Sequence, residues 1–137
     1  MNVGYSNTPL IQKLGIHKVH TAIILHAPDN YSQLLVGLPE DLQLKHTLHP
    51  NSEFIHYFAN NKYELETMFP QLSQSLAKNG TLWISWQKQS AKQNTDLNEN
   101  IVREIGLNNG VVDVKVAAID EGWSGLKFVY RLKDRKR

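Results

Sequence analysis

The chain has 137 residues, 41% of them hydrophobic and 20% charged, which suits one globular domain and is short for two. It contains no cysteine, so disulfides, thiolate nucleophiles and thiolate metal sites are excluded. The net charge is +2, but residues 127–137 carry six Lys or Arg against Asp134 alone; the rest of the chain is net negative and offers no general nucleic-acid-binding face.

Apolar runs such as Ala22-Ile23-Ile24-Leu25 fall far short of the ~20 residues that span a bilayer, and Met1-Asn2-Val3-Gly4-Tyr5-Ser6 does not look like a secretory leader. These features predict a cytoplasmic protein with no membrane contact. It forms a single domain over residues 1–137, with a frayed basic tail at 131–137.

In chain order, Thr8-Pro9 supplies a cap and a first-turn proline for a short helix that Gly15 stops. Residues 19–27 read as a buried parallel strand, apolar on both faces at its centre and broken by Pro28-Asp29-Asn30. A short helix over 31–38 and a weak, edge-like strand over 42–48 follow. Residues 53–59 form another strand. Residues 62–78 form a helix with Leu65, Met68, Phe69, Leu72 and Leu76 at three- and four-residue spacing, kinked or split by Pro70 and ended by Asn79-Gly80. A fourth strand spans 81–86. The Asn/Gln-rich interlude 87–100 reads as an exposed loop that runs into a helix capped by Thr95-Asp96, carrying Leu97, Ile101 and Ile105, and closed by Asn108-Asn109-Gly110. Two β-branched runs, 111–119 and 126–132, close the chain as a hairpin around Asp120-Glu121-Gly122-Trp123-Ser124-Gly125.

Alternating strands and helices imply right-handed crossovers. The predicted fold is an α/β, Rossmann-like three-layer sandwich: a mostly parallel six-stranded sheet with a C-terminal antiparallel hairpin.

Leu76-Ala77-Lys78-Asn79-Gly80-Thr81-Leu82-Trp83-Ile84 resembles the helix, glycine turn and central strand of class I methyltransferases, and the closing hairpin is similar to theirs. Over nearly its whole length the chain also resembles a small bacterial group, domain-of-unknown-function family 3052. The matching residues are Gly4-Tyr5-Ser6, Thr8-Pro9-Leu10, Ala27-Pro28 with Tyr31, Leu82-Trp83-Ile84-Ser85-Trp86 with Lys88, Thr95-Asp96-Leu97, Val112 to Val116, and Asp120 with Trp123-Ser124-Gly125-Leu126-Lys127. Gln87, Ala117 and Gly15-Ile16-His17-Lys18 depart from the family, which has proline, frequent cysteine and a Pro-Gly turn there. The resemblance implies a shortened methyltransferase-like fold and transfers no mechanism.

In methyltransferases the cofactor lies on a glycine-rich turn after the first strand, because only a bare backbone lets the ligand approach. Here that turn, His26-Ala27-Pro28-Asp29-Asn30-Tyr31, has no glycine. The second-strand acid that would hold the ribose is replaced by Lys45-His46-Thr47-Leu48, and the spacing to Glu53 is too short for two βα units. No cofactor is therefore expected, and S-adenosylmethionine is not expected in the standard mode.

The ligand crevice of an open α/β sheet lies beyond the carboxyl ends of its strands. Trp86, Lys88, Asp120, Trp123, Ser124 and Lys127 are the candidate ligand-binding residues there, with His26, Pro28, Asn60 and Asn61 on the same rim. Against this stands the simpler account in which the tryptophans cover the sheet edge and the charges are solvated. His17, His20, His46, His49 and the remaining histidines lack a convergent carboxylate, so no metal is expected. Ser85 and Ser124 sit in no nucleophile-elbow sequence, Thr95-Asp96 is explained as a cap, and Lys115 as a sheet-face lysine, so no catalytic residue is assigned. The favoured reading is a non-catalytic binding or interaction module for a partner protein or small anionic ligand, nucleic acid being disfavoured. The alternative is a small-molecule enzyme with Asp120 as proton acceptor, Lys88 or Lys127 as anion clamp, and Trp86 and Trp123 as walls.

Overall fold

The computed structural model describes residues 8–88 and 95–135. Expectations for Gly4-Tyr5-Ser6, the middle of the 87–100 interlude and the last two tail residues lie outside the described residues. The elements are α1 (Leu10–Leu14), a 3-10 turn (Ile16–Lys18), β1 (Thr21–Leu25), α2 (Tyr31–Leu34), β2 (Gln43–Lys45), β3 (Ser52–Phe58), α3 (Lys62–Ser75), β4 (Leu76–Gln87), α4 (Glu99–Asn108), β5 (Val111–Ala118), β6 (Trp123–Tyr130) and α5 (Leu132–Arg135). The six strands form one sheet in the order β2-β1-β3-β4-β6-β5. β2, β1, β3 and β4 run parallel, while β6 inserts antiparallel between β4 and β5.

Alternation along the strands divides the core into two layers. Ile23, Leu25, Ile55, Tyr57, Leu82, Ile84 and Trp86 face α3 and α4, where Leu65, Phe69, Leu72, Val102 and Ile105 meet them. Ala22, Ile24, Phe54, Phe58 and Trp83 face the other way, against Ile11, Leu14, Ile16, Tyr31 and Leu35. The Trp83 indole donates to the Leu14 carbonyl at 2.9 Å and so ties the N-terminal turn to the sheet centre. Gly106 of α4 lies flat on Phe128: a Cβ there would sit 2.1 Å from the ring, which is why the helix carries no side chain at this point.

Several boundaries move for identifiable reasons. α3 is not split at Pro70, and it ends at Ser75 rather than at Asn79-Gly80. Leu76 is extended, buried and paired with Ser52, so the chain enters the sheet five residues early. Gly80 is needed for close approach and not for a left-handed cap, since a Cβ would lie 2.8 Å from the Ser52 carbonyl oxygen. Thr95-Asp96 does not cap α4; Asn98 does, accepting from Ile101 N at 2.9 Å. Asp96 is drawn away to accept from Lys62 N at 2.8 Å, which secures the start of α3. Pro9, not Thr8, occupies the cap position of α1, and Gly15 ends that helix at φ 78° as its sequence suggests. Part of the tail expected to fray is the helix α5, held by Arg135 Nε donating to the Tyr130 carbonyl at 2.8 Å.

Candidate functional site

The carboxyl ends of β1, β3 and β4 share one edge with the β5–β6 turn. At the exit of β1 stands His26, whose φ of 61° lies in the left-handed region that a glycine would hold without strain. A non-glycine residue there costs about 1–3 kcal/mol and persists only where its surroundings hold it. Here the His26 ring lies 5.0 Å from the Tyr57 ring, and its Nδ1 is 3.2 Å from Glu64 Oε2.

Glu64 organises this corner. Asn61 caps α3 by accepting from Glu64 N at 2.8 Å, and the Glu64 carboxylate folds back to accept from Asn60 N at 3.2 Å. It also accepts the Tyr57 hydroxyl at 2.7 Å. Burial, and then the adjacent carboxylate, push the Tyr57 phenol well above its ordinary range, so it stays a proton donor. Beside these groups Tyr63, Thr67 and Met68 complete a hollow of about 410 Å³.

Behind the edge lies a buried polar chain. The Tyr31 hydroxyl is 2.7 Å from His56 Nδ1, and His56 Nε2 is 2.7 Å from Ser85 Oγ. Burial lowers the His56 pKa from 6.5 to about 3, so the imidazole is neutral at pH 7. A neutral ring donates through one nitrogen only, so one hydroxyl accepts from the ring N–H and the other donates to the unprotonated nitrogen. Ser85 and His56 are inaccessible to solvent, so the trio locks α2 to the sheet and presents no nucleophile.

The candidate residues read from the sequence separate into three groups. Asp120, Trp123 and Lys88 do gather at the β5–β6 turn, with Ser124 next along β6 on the face of its cross-strand partner Trp86. Asp120 Oδ1 accepts from Gly122 N at 2.8 Å and Trp123 N at 3.0 Å, while Asn30 Nδ2 approaches Oδ2 at 3.4 Å. Lys88 N donates to the Gly122 carbonyl at 3.0 Å, and Trp123 stands edge-on to Phe58 at 5.1 Å. Trp86 does not join them: it pairs opposite Ser124, one register position from Trp123, and is buried in the opposite layer beneath α3 and α4. The two tryptophans are therefore not walls of one pocket. Lys127 is not in the turn either. It lies four residues into β6, paired with Trp83, and lines a hollow at the far, amino end of the parallel strands.

His26 stood on the expected rim, but Tyr57 and Glu64 were missed. The sequence signal was present as Asn61-Lys62-Tyr63-Glu64, a capping box that places a carboxylate at a helix start on the carboxyl edge. The histidines have separate employments: Nδ1 of His17, His46 and His49 donates to the carbonyls of Ile11, Ile24 and Thr47 at 3.1, 3.0 and 2.9 Å. Among the described residues no three His, Asp or Glu side chains converge as metal ligands would.

The arrangement of sheet and hairpin is that of class I methyltransferases. Magnesium protoporphyrin IX methyltransferase from Synechocystis PCC 6803, solved with S-adenosylmethionine bound, superposes with a TM-score of 0.59 at 10% identity over 89% of this chain and 74% of its own. Ribosomal protein L11 methylase from Lactobacillus delbrueckii subsp. bulgaricus gives 0.52 at 14% identity, covering 88% and 77%. The Methanococcus jannaschii fibrillarin pre-rRNA processing protein gives 0.53 at 11%, covering 93% and 70%. At these identities the likeness is one of fold. The sequence matches no family model and no curated protein.

Proposed function

We propose that the protein is a non-catalytic binding module on a methyltransferase-like fold, and that it does not transfer methyl groups from S-adenosylmethionine. The observation that carries this reading is His26. At the strand exit where the fold needs bare backbone beneath its cofactor, a side chain stands against Tyr57 and Glu64, and no glycine lies between Leu25 and Tyr31. Two further features agree with it. β2 ends in Lys45 and is followed by His46 rather than an acid, and β2 and β3 are sheet neighbours of β1 with no additional βα unit between them. The proposal includes a cytoplasmic setting and kinship with the bacterial family that the sequence resembles. Calorimetry with S-adenosylmethionine and S-adenosylhomocysteine is expected to give no heat of binding at micromolar concentrations; saturable micromolar binding overturns the proposal.

A second reading, a small-molecule enzyme at the carboxyl edge, draws on one observation: Glu64 holds His26 through Nδ1, which leaves Nε2 for proton transfer beside the 410 Å³ hollow. It predicts that a metabolite screen finds a stabilising ligand whose effect is lost in His26→Gln.

A further inference from the structure

We propose that the protein binds a small oxyanion, phosphoryl or carboxylate, at the amino ends of its parallel strands, between Lys18 and Lys127. This site is at the opposite end of the sheet from the edge discussed above, and its argument is independent of that reading.

The hollow there measures about 290 Å³, just under the roughly 300–1,000 Å³ typical of drug-sized ligands, which suits a smaller one. Its wall is formed where the Gly15 turn, the early part of β4 and the middle of β6 meet. Four of the residues lining it carry side-chain donors: Lys18, Lys127, Asn79 and Thr81. One carboxylate, Glu53, lies on the same rim, and its neighbour is His20 at 3.7 Å. Among the described residues neither Lys18 nor Lys127 makes an ion pair. Lys115 adds a third positive charge beside them, its Nζ donating to the Lys13 carbonyl at 3.0 Å.

A half-buried ammonium ordinarily finds a carboxylate, because removal from water costs free energy that a counter-charge offsets. Lys127 has none. Burial, and then the nearby charges of Lys115 and Lys18, lower its pKa. An oxyanion supplies what is missing: it accepts charge-assisted hydrogen bonds from both lysines and neutral ones from Asn79 and Thr81. Lys127 stands within β6 opposite Trp83 and lines the hollow, so the sheet fixes the position from which its charge is offered.

The test is an NMR titration of the full chain at low salt with inorganic phosphate, pyrophosphate and citrate. Saturable amide shifts at Gly15, Gly80 and Thr81 are expected, with a Kd weakened about tenfold or more in the Lys18→Gln/Lys127→Met variant. Because these substitutions remove repulsion, the melting temperature of that variant is expected to hold or rise. Pyrophosphate binding more tightly than citrate assigns a phosphoryl ligand, and the reverse assigns a carboxylate. Should the double variant melt early, Lys18→Gln alone carries the test, since Lys18 is exposed; it must weaken binding at least threefold. Shifts that do not saturate, that spread over lysines elsewhere, or that survive the substitutions overturn the proposal.

Discussion

The two ends of the parallel sheet solve opposite problems. At the carboxyl end, polar groups answer one another: Glu64 is met by Tyr57, Asn60 and His26, and Asp120 by two backbone amides and Asn30. At the amino end, Lys18 and Lys127 line a hollow, and among the described residues neither is paired with an opposite charge. A satisfied cluster explains its own presence through stability, whereas unanswered charge in a concavity calls for something from outside. The edge that the fold usually reserves for ligands is thus the more self-contained of the two.

The largest way to break this comparison is acid. His56 is neutral in the folded state with a pKa of about 3 against 6.5 when unfolded, so its contribution is intact above pH 6.5 and is lost as pH falls toward 3. The linkage amounts to about 1.4 kcal/mol per pH unit in that window, and on the order of 5 kcal/mol in all. Urea denaturation at pH 7.5, 6, 5 and 4 is expected to show the wild type losing ground relative to His56→Gln at each step. A constant gap between the two would contradict the assignment. Since the same histidine anchors Tyr31, α2 should loosen before the amino-end hollow does, which hydrogen exchange at pH 5 can resolve.

Asp120→Ala comes next. It removes the acceptor for two turn amides and is expected to cost about 2 kcal/mol, read as a lower urea midpoint with an unchanged slope. Glu64→Gln keeps the shape and drops the charge at a partly exposed site, so a loss of about 1 kcal/mol is expected. His26→Gly should have a smaller effect still: it relieves left-handed backbone strain of about 1–2 kcal/mol while giving up the ring contact with Tyr57 and the Glu64 bond. A net change within about 1 kcal/mol by thermal melting would show that the His26 side chain is not there for stability.

How much of this was legible in the sequence follows from the range of the forces involved. The apolar stretches of β1, β3 and β4 and the terminal hairpin announce themselves because a strand buried on both faces must be apolar throughout. The layered α/β architecture follows. What failed were choices that depend on partners distant in sequence. The expected cap Asp96 accepts instead from Lys62 N, more than thirty residues upstream, and Asn98 caps α4. Trp86 and Trp123 parted because the hairpin register sets Trp86 opposite Ser124, and a shift of one residue exchanges the faces of a sheet. Lys127 was assigned to a turn that in fact closes by Trp123; four residues at about 3.4 Å each carry it about 14 Å further along the strand. The Glu64 cluster was readable in principle, since its capping box is local, but its meeting with His26 spans 38 residues.

The bond from the Trp83 indole to the Leu14 carbonyl reaches across 69 positions of the chain. Leu14 closes the first helix, so that helix gains its seal only once the fourth strand has taken its place. During synthesis Leu14 must wait for Trp83 to emerge 69 residues later, a delay that favours late docking of this helical layer over early nucleation by it.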